Sequence, residues 1–452
     1  MTDNLGRGAS WQAQSSQSWL TVTASGVAGG PMQIQADPSA LATNTIHYAT
    51  VSVKSSDSGV SAAQPVVVAL WKGTESVREV ATTAAVASRY TRLLADPVRP
   101  YAYAHSNSGM VADPVRPHVQ LYSNSGTIDV YNIYTGALVK SMSAPGSTLG
   151  KMLASPDGAY LYAHDLAGRQ LKVFDLREGQ VVATWPLDAS LSVFEGGLID
   201  LIYARPNGVG VLVVSTGQVF RASDGKLLAT KIAQMPNTDR LVHGLQPFRG
   251  LSSSYLAASL DGMRVFSTDS RLYMVPNTPF YWDMDYTETN EGTLSVTKAY
   301  AANLGTTLDA GLSQAGGIAM SRDGSRVLML SAVAGISLWS PADLSKDRML
   351  AQDLGLQSDT LNVTPDGNIV VAGSTFGQGS PQFHVLSPDG RLLKTQVTRI
   401  AASTVKPGST GTISALTADM AVSADGNVAI QSAIHDVDTN FGYLLTFAPI
   451  RP

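Results

Sequence analysis

Apolar and polar residues alternate along much of this chain of 452 residues, as in WLTVT at 19–23, MQIQA at 32–36, ATVSVK at 49–54, YLYAH at 160–164 and LKVFDL at 171–176. A period of two turns one face of a segment to a core and the other to water, the pattern of a half-buried strand. The helical period is nearly absent, and 41 Gly and 22 Pro supply turns between the runs. The predicted fold class is all-β.

A second, longer period overlies the first. A turn of the form Ser-x-Asp-Gly, or Thr-x-Asp-Gly, follows an apolar run at 155–158, 259–262, 321–324, 364–367 and 423–426, with RPNG at 205–208 as a variant and DPVR at 113–116 as a more distant one. The seven starts are 42 to 62 residues apart. In several units another turn follows about twenty residues on, ending at Gly136, Gly179, Gly225 or Gly390. Two hairpins per unit make four strands, and a unit of that size is a β-propeller blade with variable loops. The last unit stops one strand short, and SVREVATTAA at 76–85 is the candidate that completes it. Pairing the chain ends in one blade would close the ring and remove an exposed edge.

The segment SPDGAYLYAHDLAGRQLKVFDLREGQVVATWPL at 155–187 resembles the blades of YVTN-type seven-bladed propellers, and the resemblance extends over about residues 74–452. The Gly-His and Trp-Asp signature of WD40 repeats is missing. Residues 10–72 form a separate all-β block, with Trp11 and Trp19 around a polar turn, then a glycine-rich loop and three alternating strands. This block resembles the BACON family of immunoglobulin-like sandwiches, which implies a β-sandwich over 1–73 before a propeller over 74–452. The family name implies carbohydrate association, although tryptophans in so small a sandwich suit a core as well as a ligand platform.

One internal copy does not fit the blade period. ADPVRPYAYAHSNSG at 95–109 returns as ADPVRPHVQLYSNSG at 112–126. Seventeen residues cannot make a four-stranded blade, so one copy is expected in the first hairpin of the first blade and the other as a hairpin-sized insertion. Two readings stand for its arginines: Arg99 and Arg116 clamp an anion, or the duplication is a tolerated loop insertion.

Composition narrows function mostly by exclusion. Charged residues are 15% of the chain, the formal net charge is −4, and Lys and Arg form no cluster, which argues against a nucleic-acid partner. Cysteine is absent, which removes disulfides, zinc thiolates and thiol nucleophiles. No apolar run reaches the ~20 residues of a membrane span. MTDNLGRGAS is no signal peptide, and few residues precede Trp11 for the sandwich's usual first strand. A piece of a longer secreted, periplasmic or cell-surface protein is therefore expected.

Candidate chemistry is sparse. The seven histidines occupy no equivalent blade positions, and neither a phosphate-binding glycine loop nor a Gly-x-Ser-x-Gly elbow is present. FYWDMDYTETNEG at 280–292 sets Phe280, Tyr281, Trp282 and Tyr286 beside Asp283, Asp285, Glu288 and Glu291. Such a set suits a sugar, with rings stacking and carboxylates accepting hydroxyl hydrogen bonds, or it packs a rim loop on its neighbour. HDVDTN at 435–440 offers Asp436, Asp438 and Asn440 as oxygen ligands suited to Ca²⁺, or as a solvated hairpin tip. No other cofactor is indicated. The expected function is a non-enzymatic extracellular module binding a glycan or a protein partner. A propeller hydrolase or lactonase acting at the channel mouth, and a structural spacer, are the alternatives.

Overall fold

A computed structural model describes residues 8–451 except 61–64, 87–89, 91, 106–107, 113–118, 124–125, 188–199, 216, 230–253, 270–278, 288–291, 302–314, 332–334, 352–353, 355–356, 375–380, 399–413 and 438–439. The described chain is all-β, with one 3-10 turn at Pro206–Gly208. No described helix is long and apolar enough to cross a membrane.

The N-terminal unit pairs Ser25–Val27, Ser10–Ser15, Thr45–Ser55 and Val66–Lys72 in one antiparallel sheet, and Leu20–Val22 with Ile34–Ala36 in a second. Trp11, Leu20, Ala49, Val51 and Val53 fill the space between them, with Trp19 packed alongside. A Cβ on Gly26 would lie 2.4 Å from the Trp11 ring, so glycine there lets the strand close over the indole. Trp11 is thus core material. Beyond this unit, Trp71 meets Tyr101 with ring centroids 5.8 Å apart.

Among the described residues seven further four-stranded antiparallel sheets follow as blades, six built in chain order from the first strand and the seventh completed by a strand that precedes blade 1. The first strands are Arg92–Ala95, Leu149–Ala154, Leu201–Ala204, Ser254–Ala258, Ala315–Met320, Gln357–Val363 and Ser414–Val422. Each packs beside the first strand of the next blade, and the seventh returns to the first, so they form a closed ring, a propeller-like arrangement. Thr82–Val86 supplies the outer strand of blade 7 by pairing antiparallel with Asn440–Pro449. There the Thr83 and Thr446 hydroxyls lie 3.0 Å apart.

The core is divided among the blade interfaces. Blades 1 and 2 share Tyr103, Ile128, Leu149 and Leu161, and blades 7 and 1 share Tyr131, Ile133, Ile430 and Phe447. Because each sheet is covered on both faces, central strands lose the alternation of a half-buried strand: Val211–Val214 is buried at all four positions. Two carboxylates also tie first strands across blades. Asp200 accepts the Leu256 amide at 2.7 Å, and Asp419 accepts that of Leu93 at 2.8 Å.

The duplication divides between two roles. The first copy forms the opening hairpin of blade 1, ending in Tyr101–His105. The second contributes Val119–Ser123 to an additional two-stranded hairpin with Ser108–Ala112. Arg99 is unavailable as an anion clamp, because its guanidinium is buried against Asp96 at 2.7 Å and donates to the Gly158 carbonyl at 2.8 Å. Arg116 lies outside the described residues.

Candidate functional site

The repeated turns lie at one end of the ring, and four of them share one hydrogen-bonding device. In blade 2 the Ser155 hydroxyl donates to Asp157 at 2.6 Å and accepts the Tyr160 amide at 2.9 Å, while Asp157 accepts the Ala159 amide at 3.0 Å. The same pattern recurs at Ser259/Asp261, Ser321/Asp323 and Ser423/Asp425. Donation from the Ser321 hydroxyl, and then from the amide and hydroxyl of Ser325, holds the Asp323 carboxyl down at about 2. These aspartates are turn locks.

Five of the turns also seat on the one before, through Gly158, Gly262, Gly324, Gly367 and Gly426. The Arg205 amide donates to the Gly262 carbonyl at 2.9 Å. A Cβ on Gly262 would meet Arg205 backbone at 2.6 Å and one on Gly426 would meet Pro365 at 2.6 Å, both at positive φ. Glycine is required there by the conformation and by the close approach together.

The residue after the Ser, Thr, Arg or Asp that opens each turn lies on this end of the ring. Around the seven blades it is Pro97, Pro156, Pro206, Leu260, Arg322, Pro365 and Ala424. Six of the seven are apolar and one is a cation. A depression of about 280 Å³ lies beside that cation, lined by Leu260, Met320, Arg322, Asn362, Val363 and Val422 among others. Asn362 is a second break in the pattern. Two residues before the turn the other blades carry Leu94, Leu153, Tyr203, Ala257, Ala319 and Ala421. Arg322 is exposed, Asn362 is half-buried, and neither side chain has a hydrogen-bond partner among the described residues. The hydroxyls of Ser321, Thr364 and Ser423, which also line the depression, donate to Asp323, Asp366 and Asp425. An open concavity of mixed polar and apolar lining, with two uncommitted donors, is therefore an arrangement suited to a ligand.

The aromatic and acidic run at 280–286 is differently used. It forms the third strand of blade 4, Pro279–Thr287, and its rings are inside the molecule: Tyr281 is 1%, Trp282 2% and Tyr286 3% exposed. Period-two geometry sends Phe280, Trp282, Met284 and Tyr286 into the core shared with blade 3, and Tyr281 into the core shared with blade 5. Trp282 stacks on Phe280 at 5.5 Å rather than facing solvent. Asp283 takes a two-point ion pair from Arg264 at 2.5 and 2.7 Å. The Arg264 guanidinium also covers the Tyr281 ring at 3.8 Å and donates to the Pro341 carbonyl of blade 5 at 2.5 Å. Asp285 accepts from Asn207 of blade 3 at 2.6 Å. The expected sugar platform is corrected accordingly: these residues join blade 4 to both neighbours, and no face of Tyr281, Trp282 or Tyr286 is open for stacking. Glu288 and Glu291 lie outside the described residues.

The Ca²⁺ reading falls on the hairpin where Val437 pairs with Asn440, and Asp438 lies outside the described residues, as do the side-chain placements of Asp436 and Asn440. Among the described residues no three His, Asp or Glu side chains gather as metal ligands do. His164 is 2% exposed in the second strand of blade 2, and its Nδ1 has no hydrogen-bond partner among the described residues. Burial pushes its pKa down to about 4 against the opposing pull of Asp165. His384 is held by Thr395 at 2.8 Å and the Leu354 carbonyl at 3.0 Å.

Arg322 and Asn362 are legible in the sequence once the turns are aligned, as polar residues at positions that are otherwise almost wholly apolar. A search for dense clusters of aromatic and acidic residues passes them over. Compared with known families and with curated proteins, the chain matches no family model and no curated sequence.

Proposed function

We propose that this chain is a non-enzymatic binding module of an extracellular or cell-surface protein, and that an exposed end of its ring meets a glycan or a protein partner. The observation that carries this reading is the depression at the turn-bearing end, where Arg322 and Asn362 stand uncommitted beside turns locked by hydrogen bonds. A frame fixed by its own hydrogen bonds limits the ordering cost of binding to the few side chains, Arg322 and Asn362, that meet the ligand. The hydroxyls in the lining donate to neighbouring aspartates, which suits them to holding the turns. The resemblance of the N-terminal block to BACON sandwiches and of the blades to YVTN propellers favours the same reading, and with it a secreted or surface location.

The test is a glycan-array screen of the intact chain, run beside a turnover assay on lactone and ester panels. Saturable array binding without turnover is the expected result. Hydrolysis of a lactone, with loss of activity on substitution of a lining residue, would replace the binding reading with an enzymatic one. A blank in both assays would remove the glycan and leave a protein partner or the spacer role as the better account.

A further inference from the structure

We propose that the depression across blades 4 to 7 binds a carboxylate carrying a short apolar body, with Arg322 as the anion anchor, Asn362 as a second donor and Met320, Val363 and Val422 against the apolar part. This assignment rests on the binding-module reading and adds the chemistry of the ligand. A guanidinium presents paired N–H donors in the plane and spacing of a carboxylate, which a point charge does not. Asn362 adds a carboxamide donor from the adjoining blade, where the equivalent residue elsewhere is Leu, Ala or, once, Tyr203.

Size and charge both restrict the occupant. A volume of about 280 Å³ lies just below the ~300–1,000 Å³ of ligand pockets, so the ligand is small or is the end of a chain. The aspartates nearest in sequence, Asp323, Asp366 and Asp425, are absent from the lining and take hydrogen bonds from their own turns. No carboxylate in the lining therefore opposes an incoming anion. An apolar carboxylate occurs as a free short-chain acid or as the C-terminal residue of a peptide, and the two share the chemistry Arg322 would recognise.

The test is calorimetric titration of the intact chain with hexanoate and hexanamide, and with N-acetyl-Ala-Ala-Leu as the free acid and as the C-terminal amide. The expected result is saturable binding of at least one acid at ~1 mM or tighter, with its amide at least about tenfold weaker. Preference for hexanoate assigns a free acid, and preference for the tripeptide acid assigns a peptide terminus. Arg322→Ala should abolish the difference between acid and amide, and Arg322→Lys should recover it only in part. Asn362→Leu, which restores the residue type of the other blades, should keep the fold and weaken the acid severalfold. Equal binding of acid and amide, unchanged affinity in Arg322→Ala, or no binding of either acid would overturn the assignment. The glycan-array result reports separately on the binding-module reading, so an array hit with no carboxylate binding would remove the ligand assignment alone.

Discussion

The third strand of blade 4 and the turn-bearing end of blades 4 to 7 show opposite relations between composition and availability. The strand holds three buried rings and two carboxylates within six residues, yet every ring is packed and both carboxylates have partners in adjacent elements. The depression at the turn-bearing end offers Arg322 and Asn362, and neither side chain has a partner among the described residues. Local richness in sugar-binding residue types is equally what a two-sided interface needs, because aromatics fill it and ion pairs align it. A group left uncommitted where the repeat supplies an apolar residue is the better indicator of a ligand.

The largest effects should follow from breaking the strand. Trp282→Ala empties a cavity between blades 3 and 4, and its cost in denaturant unfolding is expected near ~3–5 kcal/mol. A loss under about 1 kcal/mol would show that the indole is not the packing element described. Arg99→Ala leaves the buried Asp96 carboxylate without its cation, though still hydrogen-bonded by the Val98 and residue-99 amides and by Tyr103, and should cost up to ~3–5 kcal/mol, whereas an anion clamp on the surface would be lost with little change in stability.

A pH effect comes next. The folded-state pKa of His164 lies at about 4, below its ordinary 6.5, so the unfolded chain takes up a proton first as pH falls. The stability tied to neutral His164 is complete above about 6.5 and declines towards 4, by up to ~3 kcal/mol at about 1.4 kcal/mol per pKa unit. His164→Leu should flatten that part of the unfolding profile. An unchanged slope would mean that another group governs it.

Breaking the partly exposed Arg264–Asp283 pair by Asp283→Ala should cost less, ~1–2 kcal/mol, read from the same unfolding curves. Arg322→Ala should fall within about 0.5 kcal/mol of the parent. A larger loss would make Arg322 a structural residue and close the gap between the two regions.

Much of the architecture is legible in the chain because the turns have strict local chemistry. Ser or Thr, Asp and Gly are each fixed by a hydrogen bond or a positive φ, so their spacing marks each of these hairpins whatever the loops do. The opening of blade 1 is harder to read because Asp96 replaces the serine and takes the amides of Val98 and Arg99 directly. The fate of residues 280–286 is not legible, since alternation shows that Tyr281 and Trp282 face opposite ways but not that another blade covers both sides. Arg322 and Asn362 are visible in the sequence only by comparison among the blades, and their shared depression requires the ring.

The most direct test is a crystal structure of the chain soaked with hexanoate. The account predicts density for the carboxylate at the Arg322 guanidinium with the alkyl chain running over Val363 and Val422. Hexanoate seated instead on the blade 4 strand, with Tyr281 or Trp282 turned out to meet it, would contradict the division between the two regions.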